Sequence, residues 1–304
     1  MLSSDAENFY WLSRYVERAE NTAKLVNVNI ELLLDFMGNK SEGWKPVIEI
    51  TGMNDFFKKK YKNFNEVNSV KFLSQDIDNS NSILSCLEKA QYNARPIRDN
   101  LPRSSIHQLN TLLKNFNDQI KSTTSRRKRT LIISEVTSGT QLFFGIISDN
   151  FSVGTEYQFI KLGRFIERAD MVSRIIDSQI LRKNQDGFDS EFYNIEWTSI
   201  LRSLSAYESF MISKGNISKA EIVEFLIKSN EFPRSILNCI KNVNDSLKNL
   251  PKNKKIKDEV DILIRKLLKS RIHNKEDVKI HKFIDNIQLK LNKINNIVSN
   301  TYFN

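Results

Sequence analysis

Apolar residues recur at helical spacing along most of this chain, and no interior stretch alternates persistently enough to read as a strand. The first helical pattern starts at the N-cap candidates Ser3, Ser4 and Asp5 and runs to about Met37, where Gly38 and Asn39 end it. A connection from Gly38 to Pro46 leads to a helix expected to continue through about Lys60. Residues 61–69 are polar and read as loop. Helices are expected from about Val70 or Asn79 to Asn93, between Pro102 and Lys121, and from about Thr130 to Asn150. The second half predicts helices at about 155–183, 190–213, 218–229, 233–248, 254–272 and 276–301. The fold class is therefore all-α, a multi-helix bundle.

One helical stretch occurs twice. Phe9-Tyr-Trp-Leu-Ser-Arg-Tyr-Val-Glu-Arg-Ala-Glu20 returns 150 positions later as Phe159-Ile-Lys-Leu-Gly-Arg-Phe-Ile-Glu-Arg-Ala-Asp170. Phe9, Leu12, Arg14, Glu17, Arg18 and Ala19 have identical counterparts, and Glu20 becomes Asp170. Weaker echoes pair Trp44, Val47, Ile48, Asp55 and Phe57 with Trp197, Ile200, Leu201, Glu208 and Phe210. A further one sets Ile83, Leu87, Lys89, Arg95 and Ile97 against Ile222, Leu226, Lys228, Arg234 and Ile236. The expectation is one domain over 1–304, built from two pseudo-equivalent, duplicated halves of about 1–150 and 151–304.

The repeated residues include charges, and these carry the candidate chemistry. Phe9, Leu12, Val16, Ala19 and Ala23 form an apolar stripe on the helix, while Arg14, Glu17, Arg18 and Asn21 form a second one. The later copy repeats it with Arg164, Glu167 and Arg168. Two readings stand side by side. In one, these residues form a structural ion-pair network; if the halves meet around a pseudo-twofold, Arg14 or Arg18 pairs with Glu167, and Arg164 or Arg168 with Glu17. In the other, Arg14, Glu17, Arg18, Glu20, Arg164, Glu167, Arg168 and Asp170 bind an acidic or amino-acid-like ligand. Arginines one turn apart offer two guanidinium forks to a carboxylate or phosphate, and a glutamate between them holds a fork in place.

Composition narrows the alternatives. A 40% hydrophobic fraction with 19 Phe supports a globular protein, and nine Gly with five Pro are few for a strand-rich fold. No secretory signal opens the chain, because charges arrive before any apolar run, and Leu131–Phe151 is interrupted by Glu135, Ser138 and Asp149. Cys86 and Cys239 lack metal-binding spacing and read as buried thiols in a reducing cytoplasm. The net charge of +10 is concentrated in Arg126-Arg-Lys-Arg129 and in residues 251–304, which carry 13 Lys and Arg against 6 Asp and Glu. That invites a nucleic-acid reading, but no nucleic-acid module accompanies the charge. His107, His273 and His281 lie outside Glu-x-x-His and His-x-x-x-His patterns, so no metal or other cofactor is expected. No phosphate loop or nucleophile elbow appears. An enzyme working through carboxylates alone stays open.

The opening Met1-Leu-Ser-Ser-Asp-Ala-Glu-Asn-Phe-Tyr-Trp-Leu-Ser-Arg-Tyr-Val-Glu-Arg-Ala-Glu-Asn-Thr-Ala23 resembles the bacterial Alpha-E family, helical proteins with a Glu-Arg motif and no established reaction. Leu162–Asp170 resembles its second motif. Asn93-Ala-Arg-Pro-Ile-Arg-Asp99, Arg202-Ser-Leu-Ser-Ala-Tyr-Glu208 and Phe232-Pro-Arg-Ser-Ile236 look like its other signatures. Such proteins are typically encoded beside, or fused to, circularly permuted ATP-grasp proteins, often near a transglutaminase-like peptidase. The resemblance thus implies a non-catalytic partner or substrate-binding component of an amide or peptide ligase system. An enzyme of the same pathway is the alternative it leaves.

Overall fold

The computed structural model describes residues 2–35, 42–123, 125–183, 190–273 and 275–304. The expected helix end at Met37–Asn39 lies outside them. Among the described residues there is helix but no strand, as the spacing of apolar positions predicts. The chain forms two compact units, Met1–Gly163 and Arg164–Asn304.

Unit 1 contains α1 (Ser3–Asp35), α2 (Lys45–Ile50), α3 (Asn54–Lys60), α4 (Glu66–Ser74), α5 (Ile83–Ala94), α6 (Arg103–Ile120) and α7 (Arg126–Asn150). It also holds the opening turns of α8 (Thr155–Lys183). α1 packs against α5 and α7, and α6 against α5 and α7. The apolar stripe of α1 is its core face: Phe9, Leu12, Val16, Ala19 and Ala23 are all fully buried.

Three sequence expectations shift here. The helix expected to reach Lys60 breaks into α2 and α3, because Gly52 adopts φ 72°, a left-handed turn open to glycine. The expected loop at 61–69 yields to α4, whose N-cap Asn65 accepts a hydrogen bond from the Asn68 backbone. The run from Val70 to Asn93 is divided by a turn over 75–82. Asp76 holds that turn by accepting from Lys60 Nζ (2.6 Å), Tyr61 Oη (3.0 Å) and the Asp78 backbone (3.1 Å). Ser82 then caps α5.

Among the described residues, α7 is long and apolar enough to cross a membrane. Ile132, Ile133, Val136, Phe143, Phe144 and Ile147 of α7 are buried, while Leu131 and Leu142 are exposed.

Unit 2 continues α8 and adds α9 (Ser190–Ser203), α10 (Tyr207–Lys214), α11 (Lys219–Lys228), α12 (Ile236–Lys248), α13 (Lys254–Lys269) and α14 (Asp277–Tyr302). α9 packs against α10 and α11, α11 against α12, and α13 against α12 and α14. The expected 190–213 helix is broken between α9 and α10, where Ser205 takes φ 51°. Ser235, the N-cap of α12, starts that helix at Ile236 rather than 233.

At many matching positions the two units bury apolar side chains in the same register. Trp44 and Trp197 are both buried, as are Phe57 and Phe210. The left-handed residues Gly52 and Ser205 share the same 153-residue spacing, as do the N-caps Asn65 and Ser218 and the N-caps Ser82 and Ser235. Cys86 and Cys239, both buried free thiols, keep that spacing too. The echo that pairs Ile83 with Ile222 therefore joins α5 to α11, whereas the capping residues and cysteines align α5 with α12. At a spacing of 151, Leu109, Leu112 and Phe116 of α6 match Val260, Leu263 and Leu267 of α13, all buried. Ile133, Val136, Phe143 and Ile147 of α7 likewise match Ile284, Ile287, Ile294 and Val298 of α14.

Candidate functional site

The charged stripe of α1 divides into a buried and a half-buried part. Glu17 and Glu20 are 0% exposed, Asn21 3% and Arg14 8%, while Arg18 is half-buried. The helical spacing places them on one side, but the surroundings of α1 decide their depth.

Arg14 lies against aromatic rings. Its guanidinium carbon is 5.6 Å from the Tyr10 ring centroid and 5.1 Å from that of Trp11, and Nη1 donates to Tyr10 Oη at 3.4 Å. Cations over ring faces gain from the negative face of the π system, more so where water is excluded. Trp11 in turn stacks on Tyr15 with centroids 5.6 Å apart. Arg18 sits 5.7 Å from the Tyr15 centroid, and Lys89 of α5 sits 5.5 Å from it. The two cations are anchored: Arg18 Nη1 donates to Asn81 Oδ1 at 3.0 Å, and Lys89 Nζ donates to the Ser80 carbonyl at 3.0 Å. Asn81 passes the link on, donating through Nδ2 to the Thr51 carbonyl at 3.2 Å.

Glu20 belongs to a buried polar cluster. Its Oε1 lies 2.7 Å from Lys24 Nζ, one helical turn on, and accepts from Gln141 Nε2 of α7 at 3.5 Å. A buried ion pair of this kind is costly to break from one side, because the remaining charge loses its partner without regaining water.

In unit 2 the second motif repeats two of these contacts. Arg168 lies 5.5 Å from the Phe165 ring centroid, as Arg18 lies over Tyr15 three residues before it. Arg174 Nε donates to Asp170 Oδ2 at 2.8 Å, the counterpart of Lys24 and Glu20. Glu167 and Arg168 are buried at 1% and 5% exposure, and Arg164 is half-buried.

The structure therefore adds Trp11, Tyr15, Asn81 and Lys89 to the first motif. Trp11, Tyr15, Arg18, Asn81 and Lys89 are all half-buried and form the accessible edge of that motif. Trp11 and Tyr15 lie within the repeated segment itself. Asn81 and Lys89 come from the α5 region and have no local signal linking them to α1.

The close approach of α8 to α1 inside unit 1 depends on Gly163. A Cβ there would overlap the Tyr10 carbonyl oxygen and Ser13 Oγ. Gly163 occupies in the second motif the place that Ser13 holds in the first.

The basic run that opens α7 is partly spent within unit 1. Arg126 Nη2 lies 2.7 Å from Glu66 Oε2, and Arg129 Nη2 lies 3.2 Å from Glu66 Oε1. Two of the four cations at 126–129 thus turn inward onto α4, which weakens this run as a nucleic-acid surface.

No curated protein and no solved structure matches the chain. A family profile does, over residues 1–303, and describes a predicted alpha-helical domain with a conserved ER motif. Glu17-Arg18 and Glu167-Arg168 are the two Glu-Arg pairs within the repeated segments, and the match runs through all fourteen helices of the described residues, so the chain belongs to the Alpha-E family.

Proposed function

We propose that this protein is a duplicated seven-helix unit acting as a non-catalytic, substrate-binding partner of an ATP-grasp amide or peptide ligase. The ligase association comes from the family resemblance. The duplication is supported by the shared helix order and burial register of the two units. The binding role is carried by one observation: the first Glu-Arg segment buries its carboxylates and leaves cations on aromatic rings at a half-open edge.

That edge suits a carboxylate. Arg18 and Lys89 approach the same Tyr15 ring, and hydrogen bonds to Asn81 and Ser80 fix both cations before a ligand arrives. Preorganised donors lose little freedom on binding an acidic or amino-acid-like group. Arg14, Glu17 and Glu20, with Glu167, Arg168 and Asp170 in unit 2, then act as the support that sets the helix surface, and Arg164 is the half-buried cation of the second motif.

The test is reconstitution with a circularly permuted ATP-grasp partner, with ligation assayed with and without this chain. Co-purification and a rise in ligation are expected. Arg18→Met keeps packing volume while removing the fork, so it should keep the melting temperature and lose the rise. A purely structural network would reverse that pattern: Arg18→Met and Arg168→Met would both melt earlier and still support ligation. No complex and no effect on ligation would sink the partner role.

A further inference from the structure

Unit 2 contains a cluster that the Glu-Arg motifs do not use. Asp177 of α8 and His281 and Asp285 of α14 offer ligand atoms that all lie within 4.8 Å of one another. His281 and Asp285 are one helical turn apart and share a face of α14. Asp177 Oδ1 stands 2.6 Å from His281 Nδ1, and Asp285 Oδ2 stands 3.3 Å from His281 Nε2.

The carboxylate of Asp177 needs a donor, so it fixes the imidazole proton on Nδ1. The lone pair of Nε2 then faces a second carboxylate. Two acceptors facing each other repel unless a positive charge lies between them. Zinc bonds of about 2.0–2.1 Å at a tetrahedral angle place neighbouring ligand atoms about 3.3–3.5 Å apart, the spacing of Nε2 and Asp285 Oδ2. A carboxylate behind the imidazole is also the usual means of orienting a metal-binding histidine.

The corresponding place in unit 1 shows that the helical packing does not demand these charges. At the same spacings of 150 and 151, Asp177, His281 and Asp285 correspond to Asn27, Thr130 and Ser134. There Asn27 Nδ2 donates to the Thr130 carbonyl at 3.2 Å and to Ser134 Oγ at 2.8 Å. Neutral groups close that contact by themselves.

We propose that Asp177, His281 and Asp285 form a divalent transition-metal site that takes zinc(II). His281 Nε2 and Asp285 are the ligands, and Asp177 is the positioning residue that holds the ring. The remaining coordination positions face a half-buried surface and are filled by water or by an acidic group from outside the unit. The histidine falls outside the Glu-x-x-His and His-x-x-x-His patterns because its nearby ligand is Asp285, and its positioning residue Asp177 lies 104 residues away.

The experiment titrates metal-stripped, full-length protein with zinc(II) chloride by calorimetry at pH 7.5. One equivalent is expected to bind, with His281→Gln and Asp285→Asn each weakening it at least about tenfold, and Asp177→Asn by about 10–100-fold through loss of orientation. Wild-type protein with no zinc affinity, or with the same affinity as His281→Gln, overturns the proposal; a proton alone then bridges the two carboxylates. Nitrogen NMR of the wild-type histidines serves where a variant fails to fold. Zinc should move the His281 Nε2 resonance and leave Nδ1 protonated, and a response confined to His107 or His273 likewise overturns the assignment.

Discussion

The two units share much of their apolar register but differ in several polar contacts between helices. Between the starts of α4 and α7, unit 1 pairs Glu66 with Arg126. At the matching starts of α11 and α14, unit 2 pairs Lys219 with Asp277, the same bridge with its charges exchanged. Between α1 and α7, unit 1 closes a neutral contact from Asn27 to Thr130 and Ser134, where unit 2 sets Asp177, His281 and Asp285. The difference has a physical reason. Apolar burial depends on volume at a given place, so Trp44 and Trp197 or Ile133 and Ile284 have little latitude. A polar contact requires only complementarity, so its members change together.

The largest effect is expected at Gly163, where the start of α8 meets α1. Gly163→Ala puts a methyl into the Tyr10 carbonyl and Ser13 Oγ, and neither the backbone nor a short side chain can move far. A loss of about 3 kcal/mol or more is expected by chemical denaturation, at the upper end of overpacking costs. Gly163→Ala at wild-type stability would show that the tight contact between α1 and α8 is not required.

The exchanged bridge predicts a smaller effect that can be reversed. Glu66→Lys places like charges beside Arg126 and Arg129 and should cost about 1 kcal/mol, in keeping with the partial exposure of the pair. Adding Arg126→Asp recreates the polarity of unit 2 and should return most of that loss. A double-mutant cycle without coupling would mean that the exchange between the units is incidental.

The third contrast is in pH response. Asp177, the main cause, holds the His281 imidazolium above its ordinary value, with Asp285 adding to it and burial and Lys282 opposing it. Burial lifts the Asp177 carboxyl above its ordinary range, although its hydrogen bond with His281 pulls the other way. A histidine raised on folding contributes stability that is complete below its unfolded value of about 6.5 and is lost as pH rises through the folded value. Metal-free protein should therefore lose melting temperature as pH rises beyond about 6.5 and through the raised folded value, and His281→Gln should flatten that part of the profile. The Asn27 contact of unit 1 has no titrating group, so Asn27→Ala should leave the slope unchanged. An unaltered slope in His281→Gln would remove the imidazolium from the account.

The smallest effect tests the opposite kind of glycine. Gly145 lies inside α7, and a Cβ there would meet nothing within 4 Å. Gly145→Ala should stabilise by about 0.5–1 kcal/mol, the usual helix-interior gain. If it destabilises instead, that face of α7 is closer packed than the structure describes.

Much of this organisation was legible in the order of residues. The 29-residue helix α8 matches the expected limits of 155–183, because its apolar spacing is long and uninterrupted. The shorter helices α2, α3, α9 and α10 were merged, since a single left-handed residue such as Gly52 or Ser205 breaks a helix without disturbing the apolar count. Of the candidate site, the stripe Arg14, Glu17 and Arg18 and its second copy were visible from helical spacing alone. Their depths were not, nor were Asn81, Lys89 and Gln141, which reach α1 from distant segments.

By itself the sequence determined the all-helical class, the repeated Glu-Arg segments and which face of α1 is apolar, because these follow from interactions within a few turns of one helix. Only the tertiary structure decided which charges are buried, which cations share the Tyr15 ring, and that Asp177 meets His281. Those outcomes depend on where separate helices bring their side chains together, and a one-dimensional pattern does not contain that distance.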